Sequence, residues 1–257
     1  MPVQLMGILR VDELRQSYGA VRAVDGMSFD VERGELFGFL GPNGAGKTTT
    51  IRSLTGQIVP DGGTISVLGT DPTTTPLETR RRVGILPEQA SPPSFLTPRE
   101  YLEFVGDVRD LDETTVAAGI ERWAERLGFA SKLETLHTDL SRGQQQKVMI
   151  AQAFIHEPDV VLIDEPLANL DPLVQEQVKQ FLTAYAADDN AVFVSTHNID
   201  VAADICTRVG IVADGRIVTE RSLANETGDT LLETFLEHVD DADARDMPAL
   251  ERTEIEA

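Results

Sequence analysis

The sequence is poor in lysine, cysteine and histidine, and it contains no long apolar run. Only Lys47, Lys132, Lys147 and Lys179 are lysines, so 18 of its 22 basic residues are arginine. A single cysteine, Cys206, excludes an internal disulfide, and nothing asks for an oxidising compartment. Four histidines and one cysteine are too few for a dedicated zinc site to be expected, and His137, His156 and His238 show no ligand spacing. The longest apolar runs, such as Val160–Ile163 and Ala191–Val194, fall far short of the roughly 18 residues that span a bilayer. Met1 to Arg10 lacks a basic region followed by an apolar stretch, so no targeting segment is expected. If the chain serves a membrane process, another chain must do the crossing.

Acidic residues are plentiful: 43 against 22 basic, for a net charge of -21. Such a surface repels phosphate backbones, and nucleic-acid partners are not expected. Acid-rich and lysine-poor composition points to work in high salt, where self-repulsion is screened; the alternative is an ordinary acidic cytosolic protein. With 257 residues, 41% of them hydrophobic, the chain can build a core without staples, as one large domain or two small ones.

Local patterns place an α/β frame around a helical insert. Ser28–Glu32 alternates apolar and polar residues, and Glu35–Leu40 is compact and apolar, suited to a buried strand. Thr48–Thr55 reads as a helix stopped by Gly56, with short strands at Ile65–Leu68 and Val83–Leu86. Between Gln89 and about Pro158 helical patterns dominate. Thr97-Pro98-Arg99-Glu100 is a capping box that opens a helix through about Val108; Glu121–Leu127 and Arg142–Ile155 are two more. Trp123, Leu127 and Phe129 are core candidates there. Strands return at Val160–Ile163, Ala191–Ser195 and Val209–Val212, and Asp214-Gly215 turns a hairpin into Arg216–Glu220. Residues 226–257 carry eleven acids and two arginines; Thr230–Val239 reads as a helix and the remainder as a solvated or disordered tail.

Gly41-Pro42-Asn43-Gly44-Ala45-Gly46-Lys47-Thr48 fits G-x-x-x-x-G-K-[ST] between a buried strand and a helix. Glycines let the backbone wrap a polyphosphate with its N–H groups turned inward, and the helix directs its positive end at the same anion. Lys47 would reach the β- and γ-phosphates and the Thr48 hydroxyl a Mg²⁺ ion. Val160–Ile163 delivers Asp164 and Glu165 to the C-terminal edge of a strand beside that loop. Asp164 suits Mg²⁺, directly or through water, and Glu165 could polarise an attacking water. No asparagine is followed by lysine, so the guanine-reading N-K-x-D motif is absent.

Leu140-Ser141-Arg142-Gly143-Gln144 precedes Val160–Glu165, and together with Gly41–Thr48 this order resembles the ATP-binding cassette (ABC) ATPase family. The similarity runs from about Val11 to Glu220. It implies a P-loop NTPase (RecA-like) core with an N-terminal antiparallel β subdomain and an inserted α-helical subdomain at about 90–157. The cassette would cover 5–225, and 226–257 would be an acidic helix and tail. The resemblance also implies roles. Tyr18 stacks on adenine; Thr49 joins the phosphate loop; Gln89 is a hinge and a Mg²⁺ or water ligand; His197 contacts the γ-phosphate. Ser141, Gly143 and Gln144 face the ATP bound by a second subunit, which Asp171 touches.

Two of these motifs have plainer readings. Ser141 to Gln144 is itself a capping box, and Asp171-Pro172 is an ordinary helix start. Arg142 departs from the family's L-S-G-G-Q pattern, although arginine suits a first helical turn better than glycine.

The implied activity is ATP hydrolysis that glues and releases two cassettes, as a homodimer, coupled to a separate transmembrane permease at the cytoplasmic face of the membrane. Thr48–Gly56, Leu68–Pro72 and Arg80–Glu88 look like ATPase subunits of ABC-2-type exporters. The alternative is a soluble ATPase of the same family acting on ribosomes or DNA. Such proteins usually carry two cassettes or a long coiled coil in the insert.

Overall fold

The computed structural model describes residues 7–88, 91–165, 167, 170–223 and 228–246. Two kinds of strand, alternating and continuously apolar, sort into two sheets. Strands β1 (Leu9–Tyr18) and β2 (Val21–Val31) alternate between buried and exposed residues; β3 (Leu36–Leu40) is buried throughout. Then follow α1 (Lys47–Leu54), β4 (Gly62–Val67), α2 (Pro76–Arg82) and β5 (Val83–Leu86). Three helices come next: α3 (Pro98–Val108), α4 (Glu113–Arg126) and α5 (Arg142–Phe154). The chain continues through β6 (Val160–Asp164), α6 (Pro172–Ala187), β7 (Ala191–Thr196) and α7 (Ile199–Ile205). It finishes with β8 (Arg208–Ala213), β9 (Arg216–Ser222) and α8 (Gly228–Asp246).

The alternating strands form an antiparallel sheet, ordered β2-β1-β4. The continuous ones, joined by the polar edge strand β9, form a second sheet, ordered β5-β6-β7-β3-β8-β9, parallel except for its β8–β9 hairpin. Asp214 and Gly215 both have positive φ, 48° and 72°, as the two-residue hairpin turn requires. Burial on both faces explains why β3, β6 and β7 read as unbroken apolar runs. One face meets the antiparallel sheet: Phe29 of β2 packs on Phe37, Phe39 and Phe193 at centroid distances of 5.7, 5.5 and 5.8 Å. The other face carries the helices, where Trp123, Phe154 and Phe181 join α4, α5 and α6. This is an α/β P-loop NTPase core with an antiparallel β subdomain.

Several elements are longer than the sequence patterns suggest. In β1 the alternation is broken by register shifts around Glu13, whose φ is 51°, so one ten-residue strand reads as short pieces. Helix α4 starts at Glu113 rather than Glu121 because the Asp112 carboxylate caps it, accepting from the Thr114 and Thr115 amides. Helix α8 continues beyond Val239 to Asp246; Ala242 and Ala244 have high helix propensity but add no apolar period to read in the sequence. Of the expected tail, 247–257 lie outside the described residues. Helices α2 and α7, seven residues each, are too short to show a period.

Candidate functional site

The loop between β3 and α1 is shaped by close backbone approach. Gly46 caps α1 with φ 98°, and a Cβ there would sit 2.3 Å from the Ala23 carbonyl oxygen. At Gly41 a Cβ would meet the Val212 carbonyl oxygen at 2.4 Å. Neither position tolerates a side chain. No side chain caps α1 and its first turn has no acid, whereas Thr97, Asp112, Ser141, Asp171 and Asn198 close the starts of α3 to α7. The amides at the start of α1 are thus left for an anion. Lys47 is buried, and its Nζ donates to the carbonyls of Gly41 (2.6 Å) and Pro42 (2.9 Å). Burial lowers its pKa; the carboxylates of Glu165, Asp164 and Glu88 oppose that shift.

Three adjacent strand ends bring the carboxylates in. The Thr48 hydroxyl donates to Asp164 Oδ2 at 3.0 Å, and the Ser195 hydroxyl donates to Asp164 Oδ1 at 2.8 Å. Asp164 faces Ser195 across the β6–β7 ladder. Glu165 follows with φ 54°, a left-handed conformation unusual outside glycine, and its amide donates to the Ser195 carbonyl at 2.9 Å. Its Oε2 accepts from the Thr196 hydroxyl at 3.0 Å. Its Oε1 accepts from the His197 amide at 2.9 Å and lies 2.6 Å from His197 Nδ1. Residues 195–197 therefore hold both acids.

A cavity of about 270 Å³ opens above the loop, walled by Tyr18, Asn43, Lys47, Thr48, Asp164 and Glu165. Gly44, Gly46 and Thr49 complete the loop side. Gly41, Pro42 and Ala45 shape the loop from behind: the Ala45 amide donates to the Pro42 carbonyl and the Gly41 amide to the Thr196 carbonyl. Tyr18 ends β1 at the rim, about half exposed. Gln89 lies outside the described residues. Its neighbour Glu88, which spacing did not single out, lines the cavity, as does Ala23. Ser195 and Thr196 were missed too. Their partners lie 31 residues away, so only the pairing of β6 with β7 exposes them.

The donor set fits Mg²⁺. Among the described residues no group of three or more His, Cys, Asp or Glu could hold a metal by itself. Thr48 and Asp164 offer one hydroxyl and one carboxylate, hard oxygens of the kind a Mg²⁺ uses while taking its other ligands from water and phosphate.

The remaining site residues stand apart. Ser141 caps α5: its hydroxyl accepts from the Gln144 amide at 3.3 Å while Gln144 Oε1 accepts from the Ser141 amide at 2.9 Å. Asp171 caps α6 through the Val174 amide at 3.1 Å. Ser141, Gly143, Gln144 and Asp171 do not line the cavity. The other histidines serve packing: buried His137 lies edge-on to Tyr101, His156 bonds the Val83 carbonyl, and His238 the Thr234 carbonyl.

Residues 24–168 match the family model described as ABC transporter. The chain is 34% identical to Nod factor export ATP-binding protein I of Paraburkholderia xenovorans, over 96% of this chain and 83% of that protein. It is 33% identical to the probable multidrug ABC transporter ATP-binding protein YbhF of Escherichia coli, over 82% of this chain and 36% of that longer protein. The solved structure of an ATP-binding subunit of an ABC transporter superposes with a TM-score of 0.81 at 29% identity, covering 88% of this chain and 98% of that one. A dimeric ATP-binding cassette bound to ADP and phosphate shares the fold, with a TM-score of 0.76 at 22% identity, over 85% of this chain and all of that one.

Proposed function

The chain belongs to the ABC transporter family and is an ATPase of that family; from this we propose that it powers an ABC-2-type exporter. Two copies pair around ATP beneath a separate membrane-spanning subunit, at the cytoplasmic face of the membrane. The cassette occupies 5–225 with its helical insert at about 90–157, and 226–257 is an acidic appendage. The names of the relatives, Nod factor export and multidrug transport, favour outward traffic. One observation carries the reading. Lys47, Thr48, Asp164 and Glu165 converge on a single cavity, while the capped starts of α5 and α6 do not line it. A second copy placed head to tail supplies those starts.

The residues divide the work. Tyr18 stacks on the base, a contact worth on the order of 1 kcal/mol. The amides of Asn43 to Thr49 cradle the phosphates, and Lys47 exchanges its loop carbonyls for β- and γ-oxygens. Thr48 and Asp164, with Gln89, hold Mg²⁺, which when bound neutralises charge on the phosphate oxygens. Glu165 aligns water against the γ-phosphorus and takes its proton. His197 leaves Glu165 to steady the γ-phosphate. Ser141, Gly143 and Gln144 of one copy close over the phosphate of the other. The closed pair favours ATP over ADP, so hydrolysis loosens it and the difference drives the membrane subunit.

ATPase assays of the full chain beside Glu165→Gln test this. The variant should lose at least about 100-fold in turnover. It should also retain ATP and sediment as a dimer with ATP and Mg²⁺. Normal turnover by the variant, or no nucleotide-dependent pairing, overturns the reading.

A further inference from the structure

The charges facing the nucleotide cavity are out of balance. Among the described residues that line it, Lys47 is the only cation, and three carboxylates, Glu88, Asp164 and Glu165, face it. Asp164 and Glu165 end β6. Glu88 lies two residues past β5, the strand paired beside it, with Leu86 opposite Ile163. The two strand ends thus bring all three acids to one sheet edge. Asp164 and Glu165 are tied by hydroxyls and amides; Glu88 is exposed, and among the described residues no ion pair or side-chain hydrogen bond holds it. Its charge is sensed at Lys47.

We propose that Glu88 is a charge filter: it turns the cavity against metal-free triphosphate, so that nucleotide enters only as its magnesium complex. The inference rests on the ATP-binding reading above. Asp164 accepts hydrogen bonds from Thr48 and Ser195, and Glu165 from Thr196 and His197, so each has partners that spread its charge. Glu88 adds a third negative charge that, among the described residues, no ion pair or hydrogen bond ties down, and Lys47 is the one cation of the cavity lining to set against all three. A bare triphosphate meets it as repulsion, whereas a divalent cation on the phosphates offsets much of that repulsion. Glu88 acts here through its field and not as part of a protein-only metal cage, which the described residues do not provide. It is a specificity residue for the charge state of the substrate.

The experiment is equilibrium binding of AMP-PNP to the full chain, with EDTA and with saturating Mg²⁺, for wild type, Glu88→Gln and Glu125→Gln. Glu125 is an exposed acid on α4 and controls for net charge. Wild type should bind the magnesium complex much more tightly than the free nucleotide. Glu88→Gln should narrow that ratio roughly three- to tenfold, chiefly by tightening metal-free binding. Glu125→Gln should leave the ratio alone, and added salt should shrink the wild-type ratio more than that of Glu88→Gln. An unchanged ratio in Glu88→Gln overturns the inference. So does a ratio narrowed only by weaker binding of the magnesium complex. Wild type that binds nucleotide in neither condition overturns the function above instead.

Discussion

Thr196 is one hydroxyl with two tasks. It donates to Glu165 Oε2 at 3.0 Å and accepts from the Asn198 amide at 3.1 Å, which fixes its rotor and so the carboxylate. It is buried, so its removal leaves a carboxylate oxygen short of a donor. Thr196→Val should lower kcat on the order of tenfold with the KM for ATP little changed, and Thr196→Ser should restore most of it. Equal kcat in Thr196→Val and wild type would show that the carboxylate is held without it. Lys47, Thr48, Asp164 and Glu165 were legible as residues because a strand, a loop and a helix carry them in fixed order. Thr196, Ser195 and Glu88 were not, because what matters is which strand lies beside which, and no spacing within a single strand records that.

Seams between elements are held by polar groups buried at their ends. His156, just past α5, lies 3.1 Å from the Val83 carbonyl at the start of β5, which Nε2–H donation satisfies. Burial, with the charge of Arg109 nearby, lowers its pKa to about 3. In the unfolded chain the imidazole protonates near its ordinary value of 6.5, so the unfolded state binds more protons between pH 6.5 and about 3. Its contribution to stability is therefore fully present above pH 6.5 and is lost as pH falls through that window. Thermal midpoints across it should drop more steeply for wild type than for His156→Gln; parallel curves would show that His156 does not set the slope. Arg109 braces the same seam, donating to the carbonyls of Arg80 and Arg81, both at 3.1 Å. Caps with a sequence signature, Thr97 and Ser141, showed where α3 and α5 begin. The Asp112 cap lies where no apolar period had yet started, so the first two turns of α4 went unread.

At the scale of the whole molecule, a net charge of -21 makes self-repulsion a standing cost of the folded state. Raising salt from about 0.01 M to 1 M shortens the screening length from roughly 30 Å to 3 Å and should raise the thermal midpoint. A midpoint indifferent to salt would refute a saline habitat. Among the described residues no helix is long and apolar enough to cross a membrane. The one tryptophan of the chain sits where α4, α5 and α6 meet. Trp123 of α4 meets Phe181 of α6 edge-on at 4.9 Å and Phe154 of α5 at 5.5 Å, with the Arg126 guanidinium 5.5 Å from its ring. Its indole is thus a natural optical gauge. Any swing of α4 against α6 changes the rings and the charge around a lone emitter, and the wavelength of unlabelled protein reports that swing in real time.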